Sequence, residues 1–468
     1  MSSSSPSKQD VRNEKWSPGI WRNYPALQQP QYRSADGLSA VRDKLATLPP
    51  LVTSREISEL KAALADAQEG RRFLLHAGDC AERFSDCTTA QIVNRIKVLR
   101  QMGLLLAHGL RKPIVKIGRF AGQYAKPRSS DWEERSGARL PSYRGDIVNG
   151  STFDHEAREP EPGRLLDAYA HAAMTMNYTR ALAADGLSRF DDPLNWPLDW
   201  VERSSKATHY LRTISEVIAQ AENPAQGRAA FPYAQDADRI YSSHEALLLE
   251  FEEPVTRENA NRGGWFNAST HMPWIGLRTN DLDGAHVAYS SGIENPIGVK
   301  VGAGTTPASV LQLIERLNPR QEAGRLTLIT RMGHSKIAAS LPPLLQAVRV
   351  TGYKVLWVLD PMHGNTEESS TGFKTRRFEA IHSEIEQAFQ IHAAEGVPLG
   401  GIHLELTGEH VTECVGGASG IREADLSRAY KTAVDPRLNY EQSLELAMLI
   451  GQAANASRNT ADLAAVPA

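Results

Sequence analysis

Cysteine is scarce in this chain of 468 residues, which contains only Cys80, Cys87 and Cys414. Three thiols in so long a chain exclude a disulfide framework and point to a reducing compartment. No long apolar run exists either. The best, 103–110, is broken by His108 and falls well short of the ~18 residues that span a bilayer. Neither sign of charge is in excess: 52 Lys+Arg against 55 Asp+Glu leaves a formal net charge of −3. That balance removes any global electrostatic case for nucleic acid or membrane as a partner, so a basic site has to be local. The opening MSSSSPSKQD lacks an apolar h-region, and a cytoplasmic protein is expected. A Gly-rich dinucleotide fingerprint is also missing. What remains, 41% hydrophobic and 23% charged residues, is the composition of a globular enzyme-sized protein rather than a disordered or fibrous one.

Residues 1 to about 10 are Ser-rich and read as disordered. Residues 16–32, rich in Trp, Pro, Gln and Tyr, read as an extended arm laid on a surface such as a neighbouring subunit. Helical patterns follow at 37–46 and 54–70, the second with Ser54 as cap and Ile57, Leu60 and Leu64 on one face. Short apolar runs of strand length then recur at 73–77, 113–118, 273–276, 296–302, 326–331, 354–360 and 401–406. Helix-like segments lie between them at 307–317, 341–351 and 378–396. Strands too apolar to face water, alternating with helices, imply a parallel sheet covered by helices. With an eighth strand expected near 183–200, the fold class is α/β, a (β/α)8 TIM barrel with an N-terminal extension and additional helical insertions. The expected division is an extension at 1–70, a barrel at 71–455 and a flexible tail at 456–468. A helical insertion is expected within about 127–270, with helices at 169–185 and 243–252.

In such a barrel, chemistry belongs at the C-terminal ends of the strands. Four residues there are candidate metal ligands: Cys80 in HAGDCAE, His363 in DPMHGN, Glu405 in HLELTGE and Asp435 in VDPRLN. A thiolate, an imidazole and two carboxylates suit Mn, Fe, Co or Zn better than Mg. Each alone also has a structural explanation: a buried thiol as a small hydrophobe, a turn histidine, an aspartate starting a turn before proline. Spacing by itself leaves both accounts open. A second set is cationic: Arg119, Lys126, Arg128, Arg278, Lys300, Arg331 and Lys336. Any single one reads as a solvated loop charge, but Lys300 and Arg331 end apolar runs, where a cation is costly without an anionic partner. Several cations at one mouth suggest a small anionic substrate bearing phosphate or carboxylate.

With these residues placed, the sequence resembles the type II 3-deoxy-D-arabino-heptulosonate 7-phosphate (DAHP) synthases. The resemblance runs from the WSPGIWRNYPALQQPQY arm to about residue 455. It includes GDCAE, GRFAGQYAKPRS, YRGDIVNG, SHEALLLEFE, DPMHGNTEESSTGFKTR, HLELTGEHVTEC and DPRLN. It implies an aldol-like condensation of phosphoenolpyruvate (PEP) with erythrose 4-phosphate, opening the shikimate pathway to aromatic amino acids. It also implies Cys80, His363, Glu405 and Asp435 as ligands of one divalent ion, Mn2+ or Co2+ first, with Zn2+, Fe2+ or Cd2+ as alternatives. PEP contacts carry over to Arg119, Arg278, Lys300 and Arg331, and to the backbone of Leu277. Erythrose 4-phosphate contacts carry over to Lys126, Pro127, Arg128 and Ser129. Lys126, Cys80 and His363 are the implied catalytic set, with Lys126 as general acid. The family further implies a homodimer or homotetramer, with chorismate mutase as a potential partner.

The sequence departs from the family pattern at several points. Leu277 stands where the family has an acidic residue beside PEP, and Asn280 replaces a usual arginine. Three readings follow: a synthase whose water is held by another group, a diverged paralogue using another aldose phosphate, or a low-activity regulatory partner. The retained ligand and cation sets argue against the last.

Overall fold

Eight strands close into a parallel barrel in which neighbours in space are neighbours in sequence. They are β1 (Phe73–Gly78), β2 (Ile114–Arg119), β3 (Tyr241–Glu245), β4 (Met272–Ile275), β5 (Ile297–Gly302), β6 (Leu326–Arg331), β7 (Leu356–Leu359) and β8 (Gly401–Glu405). The structure, a computed structural model, describes residues 15–135, 137–192, 195–222, 238–260 and 263–464. The Ser-rich opening expected to be disordered lies outside the described residues. No helix among the described residues is long and apolar enough to cross a membrane.

Strand alternation explains where the polar residues go. Side chains two apart share a face, so β2 turns Val115, Ile117 and Arg119 inward while β1 turns Leu74 and His76. At the N-terminal end these inward residues are apolar: Leu74, Val115, Ile117, Tyr241, Met272, Ile329, Leu356 and Val358 form one cluster. The helix Ser54–Gln68 closes this end by packing Leu60, Leu64 and Ala67 into that cluster. Outward residues such as Phe73, Leu75 and Ala77 join a second core under the surrounding helices. One layer up, the interior holds His76, Trp274, Lys300, Asp360 and His403, all buried. At the C-terminal rim, register pairs Gly78 with both Arg119 and Glu405, levelling three strand ends at one height.

The helices at Pro307–Leu317, Ile337–Thr351 and Phe378–Ala394 follow β5, β6 and β7, as the sequence pattern predicts. Three expectations are corrected. The eighth strand is not at 183–200, where the helix Arg164–Asp185 ends and a 3-10 turn, Leu187–Asp191, follows. It is β3, inside the stretch read as insertion and partly inside the expected helix at 243–252, of which only Leu249–Glu252 is helical. Its sequence, YSSHE, is polar enough to hide a buried strand. Third, Thr53 rather than Ser54 caps the second helix: its hydroxyl accepts from Glu56 N–H, and the Glu56 carboxylate accepts from Thr53 N–H.

Beyond the rim, the last helix runs from Tyr440 to Ala464, covering most of the expected tail. The arm lies along its own barrel. Trp16 Nε1 donates to Ala288 O at 3.0 Å, Trp21 Nε1 to Glu253 Oε2 at 2.8 Å, and Gln29 Nε2 to Leu247 O at 2.8 Å.

Candidate active site at the barrel mouth

The strand ends surround a cleft lined by Cys80, Arg119, Lys126, Pro127, Arg128, Ser129, Leu277, Arg278, Lys300, Arg331, His363 and Asp435. Glu405 lies fully buried beneath it. Every residue singled out as a substrate or metal contact is therefore at one mouth; Lys336, in the wider cationic set, is not among the lining residues. The sequence reading missed Gln123, Glu245, Trp274, Gly276, Thr366 and Lys374, which also line it.

The loops carrying the candidate ligands are pinned by ion pairs buried in the protein. Asp79, beside Cys80, accepts from Arg95 at 2.7 Å and from Arg437 at 2.5 Å. Arg95 also reaches Glu82 at 3.1 Å, and Glu82 accepts the backbone N–H groups of Gly122 and Gln123. The acidic residues of GDCAE and the arginine of DPRLN thus tie the β1, β2 and Asp435 loops together. Glu405 accepts from Arg119 at 2.9 Å and from Arg376 at 2.8 Å. Arg119 lies with its guanidinium 5.1 Å from the centre of the Trp274 ring.

Cys80, Glu405 and Asp435 bring ligand atoms within 4.8 Å of one another. His363 stands outside this close group but touches one member of it, its Nε2 lying 3.0 Å from Glu405 Oε1. Two observations show that this donor set fits a cation. Lys126 Nζ sits 2.8 Å from Cys80 Sγ, 2.7 Å from Asp435 Oδ2 and 3.9 Å from Glu405 Oε1, a positive centre where three donors converge. The Asp360 carboxylate lies 2.7 Å from His363 Nδ1, which must therefore carry the proton. That leaves the Nε2 lone pair facing a carboxylate oxygen, an arrangement that calls for a proton or a metal ion between them.

Charge states follow from these contacts. Burial, then the neighbouring Glu405 charge, pushes the Cys80 thiol up to about 12, so thiolate formation there needs a cation. Burial works against the Lys126 ammonium, yet Asp435, Cys80 and Glu405 hold it above the ordinary lysine value. Burial pushes Lys300 down to about 8, with Asp360, its ion-pair partner, opposing and Arg119 adding. Burial raises the Glu245 carboxyl, against Lys126, Lys300, Arg119 and Arg278.

Glu245 ends β3 with its Oε1 buried and without a hydrogen-bond partner. It lies so close over Gly276 that a Cβ there would sit 2.0 Å from this oxygen, so any larger residue would push the carboxylate out of this position. Leu277 follows, half-exposed, with its methyls over Gly302. Asn280 donates to Lys300 O at 2.9 Å, linking the β4 loop to β5. The signal for Glu245 was available in the strand period: Tyr241, Ser243 and Glu245 repeat the inward rhythm of Val115, Ile117 and Arg119.

The profile of the Class-II DAHP synthetase family matches residues 16–451. The chain belongs to that family. It is 46% identical over 433 residues to phospho-2-dehydro-3-deoxyheptonate aldolase AroG of Mycolicibacterium smegmatis, covering 92% of each chain. A phospho-2-dehydro-3-deoxyheptonate aldolase of Streptomyces coelicolor is 45% identical over 443 residues, covering 94% of this chain and 98% of its own. One from Neurospora crassa is 43% identical over 459 residues, covering 93% of each.

Proposed function

We propose that the protein condenses PEP with erythrose 4-phosphate and water to give DAHP and phosphate, the first step of the shikimate pathway, with one divalent metal ion. The observation that carries this reading is the meeting of a thiol–imidazole–dicarboxylate set with seven cations at one barrel mouth. Family membership and relatives named for this aldolase support it.

Arg119, Arg278, Lys300 and Arg331 hold the phosphate and carboxylate of PEP and offset charge as the reaction proceeds. Arg128 and Ser129, on the same rim, receive the phosphate of the aldose. C3 of PEP attacks the aldehyde carbon, and Lys126 Nζ delivers a proton to the developing alkoxide. Water adds at the cationic C2 while Glu245 takes its proton, and phosphate leaves by C–O cleavage. Cys80, His363, Glu405 and Asp435 would hold Mn2+ or Co2+, whose contribution is Lewis-acid polarisation of the aldehyde oxygen. Asp360 keeps the His363 ring turned so that Nε2 faces that position.

The purified protein is expected to consume PEP only when erythrose 4-phosphate and Mn2+ or Co2+ are present, and to stop when EDTA is added. Background PEP loss with metal supplied would overturn the proposal. The apolar side chain of Leu277 favours testing a second reading, use of a different aldose phosphate. Running the assay across four- to six-carbon aldose phosphates separates the two.

The pH dependence follows from Lys300. Its cation is present below about 8 and lost above, so kcat/KM for PEP should fall as pH rises through about 8. Lys300→Arg should remove that fall. A wild-type profile flat to pH 10 would show that Lys300 does not bind the anion as a cation.

A further inference from the structure

We infer that Glu384 is a positioning residue that locks the Arg331 loop to the His363 loop, so that the anion site and the metal site form together. The inference rests on the functional reading above for what those two loops bind. Glu384 belongs to the helix Phe378–Ala394, behind the mouth, and is fully buried. Its Oε1 accepts the backbone N–H of Met332 at 3.2 Å and of Gly333 at 2.9 Å, directly after Arg331. Its Oε2 accepts Asn365 Nδ2 at 2.6 Å, two residues after His363. One carboxylate therefore grips the ends of both β6 and β7.

The two loops are tied again beyond this grip. Asn365 Oδ1 accepts the backbone N–H of His334 at 3.0 Å, and Arg331 donates to His363 O at 3.2 Å. Gly333 and Gly364 touch backbone to backbone. A Cβ on Gly364 would come within 2.3 Å of Gly333 N, so the loops cannot slide without separating. Burial holds the Glu384 carboxyl up to about 7, against the N–H groups of Gly333, Met332 and Asn365 and with Asp360 adding to the burial. An acid kept here at that cost is explained by what it holds, since an apolar side chain would fill the same space without a desolvation penalty.

Glu384→Gln keeps the shape but sets an NH2 group against one of the loops' own donors. Leaving a buried donor unsatisfied costs enough to loosen binding on the order of tenfold. The experiment measures Co2+ affinity by calorimetry, KM for PEP, kcat, and hydrogen exchange at the Met332, Gly333 and His334 amides. The expected result is that Co2+ Kd and KM for PEP each rise on the order of tenfold, with faster exchange at those amides. At saturation kcat should change by less than about threefold, because the reacting groups themselves are intact. Ile385→Val, one residue along the same helix, should lower the melting temperature and move none of these. Asn365→Ala releases the β7 side and should weaken Co2+ more than PEP; it decides the matter if Glu384→Gln fails to fold. Unchanged affinities and exchange in a folded variant overturn the inference. Wild-type protein that binds Co2+ yet consumes no PEP would overturn the functional reading instead, while the exchange and Co2+ contrasts still decide the role of Glu384.

Discussion

Cys80→Ala protein, produced in metal-replete medium, is expected to carry no tightly held divalent ion and to lose at least about 10³-fold in turnover, since a Lewis-acid metal supplies several kcal/mol. The reason is geometric as well as chemical. Cys80 Sγ is the one soft donor among the converging groups, and Lys126 Nζ lies 2.8 Å from it. Removing the sulfur leaves Glu405, Asp435 and His363, a harder and more open set with weaker preference for transition ions. The thiol is buried, so the cavity left by alanine is small and the barrel should stay folded, which circular dichroism would check. Metal content by mass spectrometry and PEP consumption are the readouts. A folded variant that kept one equivalent of metal would remove Cys80 from the ligand set.

The second large effect is expected at Glu245. Glu245→Gln should lower kcat by about 10² to 10³ and change KM for PEP only a few-fold, the pattern of a lost proton acceptor rather than a lost binding group. Glu245 Oε1 is buried and unpartnered, and burial raises its carboxyl, inside a cleft into which seven cations also face. Those are the properties of a group placed to receive a proton. Its position also bears on Leu277, three residues along from the Trp274 side chain that paves the cleft. If Glu245 already handles the water, restoring an acid by Leu277→Glu should raise turnover no more than about threefold. A tenfold gain in Leu277→Glu, or wild-type turnover in Glu245→Gln, would assign the role to the missing acid instead.

Much of this molecule was legible from its residues. Seven strands announced themselves because both of their faces are buried, which forces runs such as PIGVKVG and LTLITR to be apolar. The eighth stayed hidden for the opposite reason. In β3, Ser243 and Glu245 face the polar upper interior, and His244 faces outward to Glu252 at 2.9 Å, so buried positions are filled by hydrogen-bonding groups. Helix formers in the following ALLLEFE then extended a false helical pattern backwards. Cys80, His363, Glu405, Asp435 and the cations could be named because they sit at strand ends and in long motifs. Gln123, Thr366 and Lys374 lie in the same motifs but off the strand ends, where nothing local distinguishes a rim residue from any other polar loop residue, and Glu245 is marked only by the alternation of Tyr241, Ser243 and Glu245 along β3.

What the sequence determined by itself is therefore the barrel and the chemical inventory, because strand periodicity and burial are local consequences of residue type. Tertiary structure alone decided which donors face one another. Cys80 and Asp435 are separated by most of the chain, and only barrel closure, with β1 beside β8, brings their ligand atoms into one group. The same closure sets Asp360 behind His363, Glu384 across two loops, and Glu245 over Gly276. Distances of 2 to 4 Å between residues hundreds of positions apart depend on the register and curvature of all eight strands at once, and no local pattern encodes them.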